Sequence, residues 1–491
     1  AGKGFCGAAQ GNETITESRG SFNIVDAKSN ITQTQTIESI TLVNYQLTIK
    51  GQFLAAQNTN YTLRIYEESS NQLHFDLLTE NINFNRLYLS YACETGEQFF
   101  GFGEQPSHLN HRGDNITDNA FVNGIVNLTL GASVGDDYSS YKVVPQYISS
   151  KSNAFFLKNY EYSEFDFTKN NQIQIELYAG KLEGNLIYAE NPYQAIEEYT
   201  SYCGRMQPLP AWIVSGAIIG MQGGTAKLYD IWQKMKDADV PVIAFWTQDW
   251  IGQRTTLAGK QLWWNWELDN DRYPKWNLLH DSLSSNTISL MGYINPFLVD
   301  VTAEKSNYRR DMYKEATQNN YLVLNDAGQP YQVQNTSFTS GVLDLSDTGC
   351  VHWIKDIIKD EMLARGLKGW MADFAEALPF DVELHSGEST ATFHNKYPEV
   401  WERINKEAIN ESNLKDTVVF FSRAGYTKSP KYATLFWQGD QLVGWGKNDG
   451  LKSAVTGLLS GGLSGFTLNH SDIGGYTSIT VPFINYLVLG R

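Results

Sequence analysis

From about Tyr199 onward the chain repeats one pattern: a short apolar run, a stretch of helical periodicity, then another apolar run. Unalternating apolar runs suit strands buried on both faces. Such strands separated by amphipathic helices imply parallel β/α units, an α/β architecture. Seven runs fit, at Trp212–Gly220, Val240–Gln248, Leu290–Pro296, Gly369–Asp373, Val418–Arg423, Thr434–Asp440 and Gly465–Asp472. Helices are expected between several of them, for example over Ala226–Asp237 and Val351–Arg365. The pattern predicts a (β/α)8-type (TIM) barrel over residues 201–491, with an inserted excursion over its mouth near 297–348. Eight strands close such a barrel, and Arg491 follows soon after the seventh run. A barrel incomplete at its C-terminus, lacking the last strand, is therefore expected.

Residues 1–200 follow a different grammar. Runs such as Ser39–Ile49 and Tyr61–Tyr66 alternate polar and apolar positions between Asn, Gly and Ser turns. That periodicity predicts the half-buried strands of an N-terminal β-sandwich. Within it, Phe99-Phe-Gly-Phe-Gly103 and the loop to Gly113 stand out. Their glycines have no strand–helix phosphate context, and His108 with His111 has no third ligand nearby, so neither a nucleotide nor a metal is expected there.

The strand ends carry the chemistry. They deliver Gln248 and Asp249, Asp373, Arg423, Gln438 and Asp440, and His470 and Asp472. Any one of these could cap a helix or pair with a lysine; Asp373 alone fits that use as well as a catalytic one. A whole ring of carboxylates, amides and an arginine at one rim is hard to explain by packing, because a buried charge costs several kcal/mol unless paired or used. Thirteen tryptophans and 27 tyrosines supply flat rings suited to sugar faces, although most must serve ordinary cores. Two acids flanking a glycosidic bond fit this ring, one attacking the anomeric carbon and the other serving as acid and then base. There is no Gly-x-Ser-x-Gly elbow, no phosphate loop and no zinc-type spacing, so no cofactor or metal is expected. The net charge of −16 disfavours nucleic acid and anionic membranes as partners, leaving a small-molecule glycoside or oligosaccharide.

At these residues the sequence resembles glycoside hydrolase family 31, and within it the sulfoquinovosidase branch. The resemblance rests on Trp246-Thr-Gln-Asp-Trp-Ile-Gly252, Trp264-Asn-Trp266, Tyr293-Ile-Asn-Pro296, Gly369-Trp-Met-Ala-Asp-Phe374, Arg423-Ala-Gly425, Trp437-Gln-Gly-Asp-Gln441 and His470-Ser-Asp-Ile-Gly-Gly-Tyr476, in order on successive strands. It implies a retaining, exo-acting α-glycosidase with Asp373 as nucleophile and Asp440 as acid/base. It further implies that Arg423 binds sugar hydroxyls, that Gln248 and Trp264 line the sugar pocket, and that Tyr476 helps to hold a sulfonate. Asp472 joins them at the rim. One position departs: where the branch carries a sulfonate-gripping arginine, three residues before Trp264, this chain has Gln261. An amide lacks the guanidinium's charge-assisted bonds, which opens neutral α-glucosides or α-galactosides as substrates. The early C-terminus leaves a non-catalytic sugar-binding protein as a further alternative.

Cys6, Cys93, Cys203 and Cys350 are widely spaced, compatible with up to two disulfides or with buried thiols. The chain starts at Ala1 rather than Met, so an upstream segment is expected to be missing or removed. Sequons at Asn12, Asn30, Asn60, Asn115, Asn127, Asn335, Asn410 and Asn469, clustered early, lean towards a secreted, lumenal or lysosomal glycoprotein.

Overall fold

The computed structural model describes residues 4–18, 21–54, 58–118, 140–256, 259–335, 337–441, 443–447, 450–473 and 475. The N-terminal region folds as two antiparallel sheets of six and eight strands. Alternation decides which side chains lie between them. In Gln172–Leu177 the residues Ile173, Ile175 and Leu177 turn inward, meeting Leu63, Phe75 and Leu77 of the other sheet in one buried cluster. Phe99, Phe102, Tyr147, Phe155 and Phe167 fill it with stacked and edge-on rings. A helix over Pro192–Cys203, capped by Asn191 accepting from the Gln194 amide at 3.1 Å, packs on the outside against Phe156 and Ile187 and leads into the second domain.

There, the described residues form seven parallel strands in sequential order: β1 (Ala217–Met221), β2 (Val242–Thr247), β3 (Ser289–Ile294), β4 (Leu367–Ala372), β5 (Val419–Ser422), β6 (Leu435–Trp437) and β7 (Asn469–His470). Every residue of β3 and β5 is buried, as strands covered on both faces require. Helices α1 (Gly224–Asp237), α2 (Trp276–Ser284), α3 (Thr348–Ile357), α4 (Thr390–Glu411) and α5 (Leu451–Leu463) lie between them. All seven expected strands are present, with shifted edges. The first does not begin at Trp212, because Pro210 leads into a single 3-10 turn over Ala211–Val214 that precedes it. The helix expected through Arg365 leaves α-geometry at Ile358 and finishes as a wide π turn and a 3-10 turn closed by Gly366 in the left-handed region. The stretch 476–491, on which the expectation of a barrel lacking its last strand turns, lies outside the described residues.

Two excursions rise over the strand ends. One is a hairpin pairing Gln253–Thr256 with Gly259–Leu262. The other, between β3 and β4, is a three-stranded antiparallel sheet with the short helix Met312–Gln318, inside the 297–348 span anticipated from the sequence. The four cysteines are free, three of them buried. His108 and His111 both face Asp114, at 3.2 and 3.3 Å.

The domains lock together through Phe99–Gly103. Gly101, Phe102 and Gly103 all have positive φ, and a Cβ on Gly103 would lie 2.0 Å from the Lys142 carbonyl oxygen. The kink presents backbone groups to α5. Ser460 Oγ lies 2.9 Å from the Gly101 carbonyl oxygen and 2.7 Å from that of Gly103, and Ser464 Oγ accepts from the Gly103 amide at 2.9 Å. These residues are buried, so the hydroxyl's removal takes away a donor that water cannot readily replace. Ser460→Ala is expected to cost about 1 to 3 kcal/mol of stability, read as a lowered midpoint in urea unfolding. An unchanged midpoint would show that the hydroxyl holds nothing.

Candidate active site

Asp373 follows directly on β4, its amide donating to the Ile294 carbonyl at 2.9 Å, which fixes it at the C-terminal rim. It is 6% exposed. Its Oδ2 accepts from the Tyr293 hydroxyl at 2.7 Å, and that hydroxyl in turn accepts from Asn295 Nδ2 at 3.1 Å. Burial, then the Asp373 charge, pushes the Tyr293 phenol well above its ordinary pKa, so it remains a donor. Oδ1 has no hydrogen bond among the described residues and faces Arg423 Nε at 3.5 Å.

After Asp373 the chain reverses through two left-handed non-glycine residues, Phe374 (φ 57°) and Ala375 (φ 77°). The reversal puts the Phe374 ring against Trp264 and Phe297 and turns Glu376 back to pair with Arg423. Arg423, at the end of β5, is thus enclosed on two sides by rings, 4.6 Å from the centre of Tyr141 and 4.5 Å from that of Phe374. Burial pulls its pKa down, but Asp373 and Glu376, then Tyr141 and Asp440, outweigh that and hold it well above the usual arginine value. Burial also raises Glu376 despite the opposing arginine.

Asp440 is reached from β6 through Gly439, whose φ of 80° and contact with Tyr141 exclude a side chain: a Cβ would sit 2.2 Å from the ring. Its carboxylate acts on Arg423 from the side opposite the β4 residues in strand order, so one guanidinium lies in the field of both candidate catalytic acids. The backbone here is held from the other domain. Fully buried Lys142 donates to the Trp437 carbonyl at 2.7 Å and the Arg423 carbonyl at 3.1 Å, and pairs with buried Glu104.

The remaining rim residues separate into distinct environments. Asp249 is fully occupied by Tyr273 (2.5 Å), Arg272 (2.6 Å) and the Gly223 amide (2.8 Å), a structural anchor. Gln248 accepts from Gln222, which itself accepts from Gln253, forming a line of amides from the ends of β1 and β2 to the hairpin. Trp264 lies 5.3 Å from Phe297 in parallel and 5.0 Å from Phe338 edge-on, one ring away from Asp373. Gln261 sits on the hairpin, its oxygen accepting from Ser337 at 2.8 Å and Thr256 at 3.2 Å. Asp472 accepts from Trp437 Nε1 at 3.2 Å, and burial lifts its pKa to about 6. Burial, with Lys142 nearby, lowers His470 to about 4. Tyr476 lies outside the described residues.

The structure thus gathers Asp373, Arg423, Asp440 and Trp264 around one centre. It also adds residues that sequence reasoning missed: Tyr293, Asn295, Glu376, Tyr141, Lys142 and Gln222. Tyr293 and Asn295 lay within a quoted motif and Glu376 two residues beyond another, so all three could have been singled out as polar residues beside a buried acid. Tyr141 and Lys142 carry no local signal, because their role depends on how the two domains meet.

Comparison with known proteins agrees in both domains. Residues 208–485 match the glycosyl hydrolases family 31 TIM-barrel domain, and 11–166 match the glycosyl hydrolase 31 N-terminal galactose mutarotase-like domain. A sulfoquinovosidase of Escherichia coli is 34% identical over 87% of this chain and 63% of its own length. One from Agrobacterium fabrum is 32% identical over 83% and 62%. The chain therefore spans less than two thirds of the length of these curated relatives. A family 31 sulfoquinovosidase from E. rectale, solved with an aza-sugar inhibitor, superposes with a TM-score of 0.89 at 31% identity, covering 98% of this chain and 71% of that one.

The Asp472 shift makes a pH-dependent prediction. A carboxyl whose pKa rises from 3.8 to about 6 on folding keeps its proton longer in the native state than in the unfolded chain. Stability must then fall as pH rises through that window, whereas Asp472→Asn has no such term. Relative to the parent, the variant should gain up to about 3 kcal/mol between pH 3.5 and 7, measured by denaturant unfolding across pH. Parallel curves would refute the assignment.

Proposed function

The chain belongs to glycoside hydrolase family 31, and from that premise we propose that it is a retaining, exo-acting α-glycosidase with Asp373 as nucleophile and Asp440 as acid/base. The observation that carries this is the asymmetric setting of Asp373. One oxygen is fixed by the Tyr293 hydroxyl, and the other has no hydrogen-bond partner among the described residues, beside a buried guanidinium. In the first step the open carboxylate oxygen attacks the anomeric carbon while Asp440 gives its proton to the departing glycosidic oxygen. In the second, Asp440 takes a proton from water, which attacks the same carbon and releases Asp373, so the anomeric configuration is retained. Arg423 offsets the negative charge gathered at the rim, and Trp264 with Phe374 offers an apolar wall for a sugar face.

For the glycone, the sulfoquinovosidase relatives favour an α-sulfoquinovoside, with Gln248, Gln261, Trp264, Asp472 and Tyr476 as substrate contacts. Gln261 favours the second reading, a neutral α-glucoside or α-galactoside, because its amide brings no positive charge to that position. A secreted, lumenal or lysosomal setting is supported by the sequons, of which Asn12, Asn60, Asn115 and Asn410 are exposed. A mobility shift on deglycosylation of the native protein would test it.

Asp373→Asn is expected to lower kcat by at least about 10³-fold on any aryl α-glycoside the parent cleaves. A mechanism-based fluoroglycoside should label Asp373 in the parent, seen by peptide mass. Asp440→Ala should lose far less on a dinitrophenyl glycoside, whose leaving group needs no proton, than on a methyl glycoside. Near-parental turnover by Asp373→Asn, or a label elsewhere, would sink the proposal. Binding of glycosides without release of sugar would instead favour the non-catalytic alternative.

A further inference from the structure

One buried cation is left unused by the mechanism. Arg254 pairs directly across the hairpin from Gln261, so the two side chains lie on the same face. It is 9% exposed, and its Nε and Nη2 are buried without a hydrogen-bond partner among the described residues. No carboxylate among those residues forms an ion pair with it. Its guanidinium is held between two rings, 3.7 Å from the centre of Phe338 and 4.6 Å from that of Trp263. Burial lowers its pKa to about 10, against a weaker opposing pull from Glu304.

The guanidinium borders a cleft of about 540 Å³ that opens between the hairpin and the 297–348 excursion. Of the acids lining this cleft, Asp269 holds Lys305 at 2.6 Å and Asp271 accepts from Asn307 at 2.9 Å, while Glu304 acts on Arg254 without forming an ion pair with it. Phe338 connects the cleft to the sugar wall, since its ring meets Arg254 on one side and Trp264 on the other. Gln261 has turned its oxygen to Ser337, the residue before Phe338.

A guanidinium taken out of water, stacked between rings and given no ion-pair partner among the described residues is costly unless a partner arrives from outside. Aromatic stacking offsets part of that cost and fixes the orientation of its donors. We propose that Arg254 is the specificity residue of this site, receiving a singly charged anionic substituent, sulfonate or carboxylate, carried by the substrate glycoside. The assignment rests on the glycosidase reading above and narrows it. It supplies, from the neighbouring strand of the hairpin, the charge that Gln261 does not bring.

The test compares aryl α-sulfoquinovoside, aryl α-glucuronide and aryl α-glucoside as substrates for the parent, Arg254→Gln and Arg254→Lys. The readout is the ratio of kcat/KM for the charged over the neutral glycoside. A partly misfolded variant lowers both terms alike and leaves this ratio intact. Arg254→Gln should lower the ratio by on the order of 30-fold or more, as truncation of one member of a buried charge pair does. Arg254→Lys should recover part of it, and the charged substrate whose ratio falls identifies the anion. An unchanged ratio, or a parent that cleaves only the glucoside, overturns the proposal and leaves the glycosidase reading standing. If nothing is cleaved, calorimetric binding of sulfoquinovose and glucuronate against glucose decides it. Charged-over-neutral preference lost in Arg254→Gln then upholds the role of Arg254 while the glycosidase reading falls; no preference overturns it.

Discussion

The barrel mouth depends on one buried positive charge. Arg423 sits at the end of a central strand with Asp373 and Glu376 on one side, Asp440 in its field on the other, and two rings against its faces. Either of the two buried acids, Asp373 or Glu376, left alone at that depth would cost several kcal/mol. The arginine offsets part of the repulsion between Asp373 and Glu376, although burial still raises the Glu376 pKa. It also requires them to be there, since an unpaired buried guanidinium is as unfavourable as an unpaired carboxylate. The cluster is therefore coherent only as a whole.

That whole is not confined to the barrel. Tyr141 covers Arg423 and fills the space that Gly439 leaves, while Lys142 holds the carbonyls of Arg423 and Trp437, which belong to neighbouring strands. Glu104 compensates the lysine, and the adjacent Gly103 owes its conformation to the same close approach. The N-terminal domain thus sets the spacing between the strand that carries the arginine and the strand that leads to Asp440. Ser460 and Ser464 extend this grip along α5 with hydrogen bonds to the same kinked strand. A domain that carries neither Asp373 nor Asp440 is in this way part of the site.

What could be read from the sequence follows from the range of the forces involved. Strand positions in the barrel were legible because burial on both faces leaves continuous apolar runs, and the motifs were legible because each lies within a few residues on one strand end. Boundaries were not. The start of the first strand was masked by the apolar 3-10 turn at Ala211–Val214, and the end of α3 by the helical composition of Ile358–Arg365. Contacts made across domains or across a hairpin leave no local trace. Nothing in Thr255-Thr256 or Lys260-Gln261 announces that Arg254 and Gln261 lie side by side on one face of the hairpin, and nothing near Lys142 announces a partner several hundred residues on. Asp249 shows the converse: it looked equivalent to the other rim acids until its three partners were visible.

The two left-handed residues after Asp373 show how these constraints converge. Phenylalanine and alanine in that region cost on the order of 1 to 3 kcal/mol each, and glycine would relieve it. Phe374 cannot be glycine without losing the ring that lies against Arg423 and closes the aromatic group around Trp264 and Phe297. Nor can the chain avoid the reversal, because Asp373 must end the strand at the rim while Glu376, three residues later, returns to the same guanidinium. Three residues offer no gentler route between two carboxylates aimed at one cation. The strain is the consequence of placing both acids on one arginine, and the ion pairs and ring contacts that demand it are also what hold it in place.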